Sequence, residues 1–337
     1  MSTYRAVMLT GKGDPDVLRE VSLPLTEPKA GEVRIAVSAT GAGGTDILMR
    51  RGFYPYAPRI PFVPGYEVVG TVEAVGPGVS EPAIGERVAG LIVHGGYAEK
   101  LVRPADQFVR VPDGVDDATA IALILNYVTA WQAVHRIAGI DERSTVLVNG
   151  ANGGVGTATL EILRIVGART FGAASARHHD LVRSLGATPI ESRSAPFDVE
   201  MRKLVPAGVD VTLDNLGGRF AALSIRATRK GGLVVGVGCA GTDNGLLSVP
   251  VSLARLYGGA FLNGRRAKFF GVTQLYRKDP SLFRVDLATL FALAAAGKIK
   301  PMIAARLPLL AARQAAEMME RGGVQGKIVH LAAARSA

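Results

Sequence analysis

Thr145-Val-Leu-Val-Asn149 is an uninterrupted β-forming run, and Gly150-Ala151-Asn152-Gly153-Gly154-Val155-Gly156 follows it directly. A strand that feeds a glycine-rich turn and then a helix leaves the helix's first N–H groups free, which makes a binding place for phosphate. Gly153 is expected to let the backbone approach a diphosphate closely. Gly156 is expected to let the helix pack tightly on the strand. The pattern is A-x-G-x-x-G, with Ala151 in the first glycine place, and its strand-then-helix context is the one such a motif requires. Ala151, Asn152, Gly153, Gly154, Val155 and Gly156 are therefore expected to hold the diphosphate of a dinucleotide.

The end of the next strand, about 20 residues on, is where a carboxylate would grip an unphosphorylated adenine ribose. The chain has Gly172-Ala-Ala-Ser175-Ala-Arg177-His178-His179 there, with no carboxylate. Ser175 can hydrogen-bond a 2′-phosphate and Arg177 can offer it a charged fork, so NADPH is the expected cofactor. Arg193 is expected either as a further clamp or as a plain surface arginine. Adjacent side chains on a helix point apart, so the two histidines are not read as a metal pair. They are expected at the surface, with His178 a lid over the adenine ribose.

These motifs need an alternating scaffold, and the chain supplies one. Residues 3–111 read as short β-branched or alternating strands separated by glycine and proline, as in a small antiparallel barrel. Thr45–Arg51 is the one short helix expected among them. From Asp117–Ile137, which carries helical spacing, the pattern changes to near-continuous apolar strands alternating with helices. That alternation indicates a parallel sheet covered on both faces. The fold class expected is α/β, a Rossmann doubly wound parallel sheet beside a β-barrel domain. Boundaries are expected at 1–121, 122–275 and 276–337, the last segment returning to the first domain through a helix over Leu282–Ala295 and a strand over Lys327–Leu331.

Bulk properties set limits. A content of 48% hydrophobic and 20% charged residues is that of a globular chain. No apolar run reaches the ~20 residues of a membrane span. No signal peptide is expected, and a single cysteine, Cys239, excludes both a disulfide framework and a cysteine-rich zinc site. A cytoplasmic protein is expected. The net charge of +10 contains no run of five like charges, so nucleic acid is not expected as a partner. Its densest cluster, Arg265-Arg266-Ala267-Lys268, is read as a solvated loop. Residues 122–275 hold 17 basic against 10 acidic residues, a positive field suited to a phosphate-rich ligand.

Pro64-Gly65-Tyr66-Glu67-Val68-Val69-Gly70, Val75-Gly76-Pro77-Gly78-Val79, the glycine turn, Asn126-Tyr127-Val128-Thr129-Ala130 and Asp214-Asn215-Leu216-Gly217-Gly218 together resemble the medium-chain dehydrogenase/reductase superfamily. The resemblance is to its zinc-independent quinone oxidoreductase group, and it implies a GroES-like catalytic domain for residues 31–111. Where zinc-dependent members have a cysteine and a histidine ligand, this chain has Gly43 and Tyr66, so no metal is expected. Many quinone oxidoreductases have an asparagine where Gly43 stands. By the same resemblance, Gly236-Val237-Gly238 should pass the nicotinamide with Asn215 just before it. Thr129 should lie on the nicotinamide side, and Gln325-Gly326-Lys327 should return to touch the cofactor. Tyr54 and Tyr66 are the candidate catalytic residues, as proton donor or aromatic wall, while Asp46 and Glu67 match positions with supporting roles.

The function expected is hydride transfer from NADPH to a quinone. Reduction of an enone or alkenal double bond is the alternative favoured by Asp214–Gly218. An NADPH-binding sensor or structural protein with little turnover is a third reading, hinted at by the missing asparagine at Gly43. A homodimer is expected, by resemblance, through the apolar stretch Val251–Phe261.

Overall fold

The computed structural model describes residues 2–193, 196–237 and 248–333. Its contacts divide the chain into two compact units, Met1–Leu125 with Asp279–Ala337, and Asn126–Lys278. Along the chain the strands are β1 (Thr3–Leu9), β2 (Leu18–Pro24), β3 (Glu32–Ala42), β4 (Glu67–Val75), β5 (Arg87–Leu91), β6 (Lys100–Pro104) and β7 (Phe108–Arg110). They continue as β8 (Thr145–Asn149), β9 (Arg169–Ala174), β10 (Thr188–Glu191), β11 (Val209–Asp214), β12 (Thr228–Gly236), β13 (Arg266–Phe269), β14 (Ile303–Pro308) and β15 (Lys327–Leu331).

The first unit is built on the sheet β14-β15-β3-β4-β5-β7, with β6 also pairing β3 and β1-β2 forming a separate ribbon. Its core packs Val33, Ile35, Val37, Val68, Val72, Val88 and Leu101, the inward half of the alternation in each strand. All pairs are antiparallel except β14 with β15, so the expected antiparallel barrel is amended by one parallel pair. That pair comes from the C-terminal segment, and β15 lies antiparallel to β3 from Ile328 opposite Ala42 to Leu331 opposite Ala39. The helix Pro280–Ala295 precedes it.

The second unit is a wholly parallel sheet of order β10-β9-β8-β11-β12-β13. The chain begins at β8, runs outward one way to β10, then restarts at β11 and runs the other way. This reversal opens a crevice at the carboxyl ends of β8 and β11, where such sheets bind ligands. Leu147, Phe171, Ala173, Ile190, Phe197, Met201 and Val209 form one core cluster. The helical stretch expected over Asp117–Ile137 is not uniform. It is α-helical over Asp117–Ala122 and Val128–Trp131, and wound as π-helix over Leu123–Tyr127 and Gln132–Ala138.

The basic cluster read as a solvated loop is instead the start of the edge strand β13. Its cations bond to main-chain carbonyls: Arg265 Nε to Thr228, Arg266 Nε to Gly231 and Lys268 Nζ to Ile137. Pairing with β12 provides the hydrogen bonds that composition alone does not reveal. Among the described residues no helix is long and apolar enough to cross a membrane.

Phe197 is fully buried in the second unit. Phe197→Ala is expected to cost about 3–5 kcal/mol of stability, read from the urea midpoint, through the cavity it leaves.

Candidate functional site

The glycine turn forms as its sequence demands. Gly150 turns the chain at a φ of +73°, Ala151 N–H donates to the Ala173 carbonyl at 3.1 Å, and Gly153 N–H donates back to Gly150 at 3.1 Å. The helix Gly154–Val166 then begins with Gly153 as its N-cap and no side chain capping it. The N–H groups of the first helical turn are thus left for an acceptor from outside, and the macrodipole adds positive potential there. A Cβ on Gly156 would lie 2.2 Å from the Gly150 oxygen, so the helix can sit this close to the turn only without a side chain.

The neighbouring strand ends are locked together by Asp214. Its carboxylate is buried and accepts from Asn149 Nδ2 (2.9 Å), Leu216 N (3.0 Å), Gly217 N (3.0 Å) and Ser224 Oγ (3.1 Å). Burial pushes this carboxyl group up from its ordinary pKa, against the pull of the four donors. Asn215 donates from both its main-chain N (3.2 Å) and its Nδ2 (3.0 Å) to the Asn149 carbonyl. Its Oδ1 is buried with no hydrogen-bond partner among the described residues. Val237 N donates to the Asp214 carbonyl at 2.8 Å, bringing Gly236-Val237 to the same rim. Gly238 lies outside the described residues. Thr129 is buried on Val128–Trp131, which packs against the helix Gly154–Val166.

At the end of β9 the backbone makes a single 3-10 turn, Ala176–His178, with His178 N–H bonded to the Ser175 carbonyl at 2.8 Å. Arg177 is exposed and its Nε donates to His178 Nε2 at 3.1 Å. His178 was expected at the surface, yet only 3% of it is exposed. The tight turn buries its ring while Arg177 stays exposed and reaches it through that bond, a placement that adjacency in sequence does not specify. Arg193 is exposed, its main-chain N–H held by Glu191 at 2.6 Å.

The first unit gathers a different set. The hydroxyls of Tyr54 and Tyr66 are 2.6 Å apart, their rings edge to face with centroids at 5.9 Å. Tyr66 is 1% exposed, and burial, then the Tyr54 hydroxyl and the carboxylates of Glu67 and Asp46, push its pKa well above the ordinary phenol value. Its carbonyl accepts from both Ile92 N and Val93 N at 3.0 Å. Val93 stands at a φ of +67°, closed by a His94 N to Ile92 O bond of 2.8 Å. A γ-turn of this hand is strained, the more so with a β-branched residue, and nothing in the sequence announces it.

Gly43 caps the helix Gly44–Arg50, its N–H bonded to Asp46 Oδ2 at 2.8 Å. Burial pushes Asp46 up to about 6, moderated by the Gly43 N–H and by Lys327. Glu67 and Lys327 form a buried ion pair, 0% and 2% exposed at the side chain. A Cβ on Gly41 would meet Glu67 Oε1 and Lys327 Cε, each at 2.4 Å. Lys327, expected to touch the cofactor, has its ammonium buried in the first unit beside Glu67. Gln325, two residues earlier, lines an open cavity of about 680 Å³ with Met302, Met318 and Arg321.

The zinc positions of metal-dependent relatives do not suit a metal in this chain. Gly43 offers no ligand and Tyr66 offers a phenol that burial keeps protonated. Lys327 Nζ would lie 3.8 Å from a Cβ on Gly43, so the Glu67–Lys327 pair adjoins this position. Among the described residues no three His, Cys, Asp or Glu side chains are grouped to hold an ion.

A model described as an alcohol dehydrogenase GroES-like domain matches residues 29–113, and one described as a zinc-binding dehydrogenase matches residues 185–329. The chain belongs to the medium-chain dehydrogenase/reductase superfamily. It is 31% identical over 336 residues to the human synaptic vesicle membrane protein VAT-1 homolog, spanning 96% of this chain and 86% of that protein. Among solved structures it is similar to a mycobacterial protein complexed with NADPH, at 28% identity and a TM-score of 0.86, covering 98% of this chain and 100% of that one. The quinone oxidoreductase from Coxiella burnetii matches at 25% identity and a TM-score of 0.85 over 98% and 100% of the two chains.

Lys327→Met is expected to destabilise the protein by about 3–5 kcal/mol, because it strands a buried carboxylate. Adding Glu67→Gln should recover much of that loss in a denaturant titration. Asp46 gives a pH signature. Its folded pKa of about 6 exceeds the ordinary 3.8, so the native state holds the extra proton between those values and stability falls as pH rises through them. Asp46→Asn should remove that falling limb, on the order of 2–3 kcal/mol, from melts run between pH 4 and pH 7.

Proposed function

We propose that this protein is an NADPH-dependent oxidoreductase that reduces a quinone without a metal. The observation that carries the reading is the uncapped helix at the glycine turn, followed at the end of β9 by Ser175 and Arg177 and by no carboxylate. Ala151 to Gly156 would hold the diphosphate. Ser175 and Arg177 would hold the 2′-phosphate, with Arg193 a further cation nearby. Asn215, Gly236 and Val237 would line the nicotinamide end, with Thr129 on the same side. The NADPH-bound mycobacterial neighbour and the Coxiella quinone oxidoreductase support this choice of cofactor and substrate.

Bound NADPH would supply a hydride from its nicotinamide ring. The chain's own task is to fix that ring, exclude water and deliver a proton, since hydride plus proton converts a quinone to a hydroquinone. The Tyr54–Tyr66 pair suits proton delivery. If Tyr66 donates to the Tyr54 oxygen, the Tyr54 O–H would be the group that donates to a substrate oxygen gaining negative charge. Burial of Tyr66 keeps its proton in place at neutral pH.

Within Asp214–Gly218, the motif behind the enone reading, Asp214 closes the turn Asn215–Gly217 with its carboxylate, a scaffold role that either substrate class could share. Gly43 is a helix cap, which accounts for it without a binding-only role. A homodimer fits the second unit, where among the described residues the edge strand β13 pairs on one side only and Tyr257, Phe261 and Leu262 are 46%, 81% and 82% exposed.

NADPH oxidation followed at 340 nm with panels of quinones and enones tests the function. Turnover with quinones is expected to dominate, and tight NADPH binding without oxidation by either panel would refute it. Tyr54→Phe should lower kcat about 10²-fold with little change in stability. Elemental analysis of the active protein should find no stoichiometric zinc.

A further inference from the structure

Arg177 and His178 are joined by one hydrogen bond, and its chemistry settles a proton. An arginine Nε always carries hydrogen and never accepts, so the ring nitrogen 3.1 Å away must present a lone pair. His178 is therefore a neutral imidazole with its hydrogen on Nδ1 and Nε2 bare. Its environment agrees: burial, then the nearby charges of Arg177 and Arg193, lower its pKa from the ordinary histidine value. Beside it, His179 Nε2 lies 3.3 Å from the Ala174 carbonyl and does not compete for the arginine.

A long exposed arginine ordinarily samples many rotamers, and a ligand that orders it loses affinity to that entropy. Tethering Nε to a buried ring restricts the guanidinium about its long axis. It leaves both Nη groups unspent by that bond, and these form the edge of the fork that binds phosphate.

We propose that His178 is a positioning residue for cofactor choice. Its neutral ring holds the Arg177 guanidinium ready for the dianionic 2′-phosphate of the dinucleotide. The inference rests on NADPH as the cofactor and goes beyond that reading by naming what orders the arginine. It also replaces the expected lid role, since the ring lies beneath the arginine as its acceptor.

Calorimetric titration of the full chain with 2′,5′-ADP and with 5′-AMP tests it. The wild type should prefer 2′,5′-ADP, and Arg177→Ala should erase that preference. His178→Leu should weaken 2′,5′-ADP binding about tenfold and leave 5′-AMP unchanged. His178→Gln, whose amide oxygen can accept, should restore most of the loss. The double variant with Arg177→Ala should bind no worse than Arg177→Ala alone. Nitrogen-15 NMR of the unaltered protein, which has five histidines, should show one ring protonated at Nδ1 only whose signals change in Arg177→Ala.

The inference is overturned if His178→Leu affects both nucleotides equally or neither, if its effect adds fully to Arg177→Ala, or if NMR puts the His178 proton on Nε2. Loss of the preference in Arg177→Ala but not in His178→Leu would leave NADPH standing and remove His178 alone. A wild type indifferent to the 2′-phosphate would remove both. The NMR result decides the matter should His178→Leu fail to fold.

Discussion

The first unit depends on a positive charge buried beside a negative one. Lys327 and Glu67 lie out of water, on the last strand and at the start of β4, and neither could remain there alone. The pair ties β15 into the unit from the side of β4, and it requires glycine at Gly41 because there is no room for a methyl group. Tyr66 immediately precedes Glu67, so the same pair helps fix where the buried phenol points. Asp46 adds a second acid beside this cation, and crowding of two carboxyl groups around one ammonium is part of why a proton is retained there. A cofactor-independent source of order is thus built around the tyrosines.

The second unit is organised by backbone. Gly156 and Gly150 approach until only a hydrogen fits between them, and the buried carboxylate of Asp214 closes the adjoining turn. Both features face the reversal between β8 and β11, where the chain changes its direction of winding. Thr129 apart, the residues assigned to the dinucleotide lie at or just past the ends of the five strands β8 to β12, where the helices and turns leave main-chain groups free.

The parallel sheet and the glycine turn were legible in the sequence because each imposes a demand that few residues satisfy. Continuous apolar runs suit strands covered on both faces, and Gly156 answers a steric exclusion. Partners distant in sequence were not legible. Lys327 reads as a free cation next to a glycine until β15 is seen beside β3, which brings it to Glu67. Tyr54 and Tyr66 could each be singled out, but their shared hydrogen bond depends on how the intervening loop folds. His178 sits beside His179 with nothing in the letters to say which is buried. Val93 is the extreme case, a residue whose type argues against the backbone angle it adopts.

The saturation of Asp214 has a further consequence. Four donors already occupy its carboxylate, so the turn after β11 has its final shape before any ligand arrives. Docking there would freeze little additional main chain, and the heat exchanged would report chiefly on the incoming molecule's own contacts and displaced solvent. The rim of the sheet acts as a rigid template, leaving adaptation to the long side chains around it.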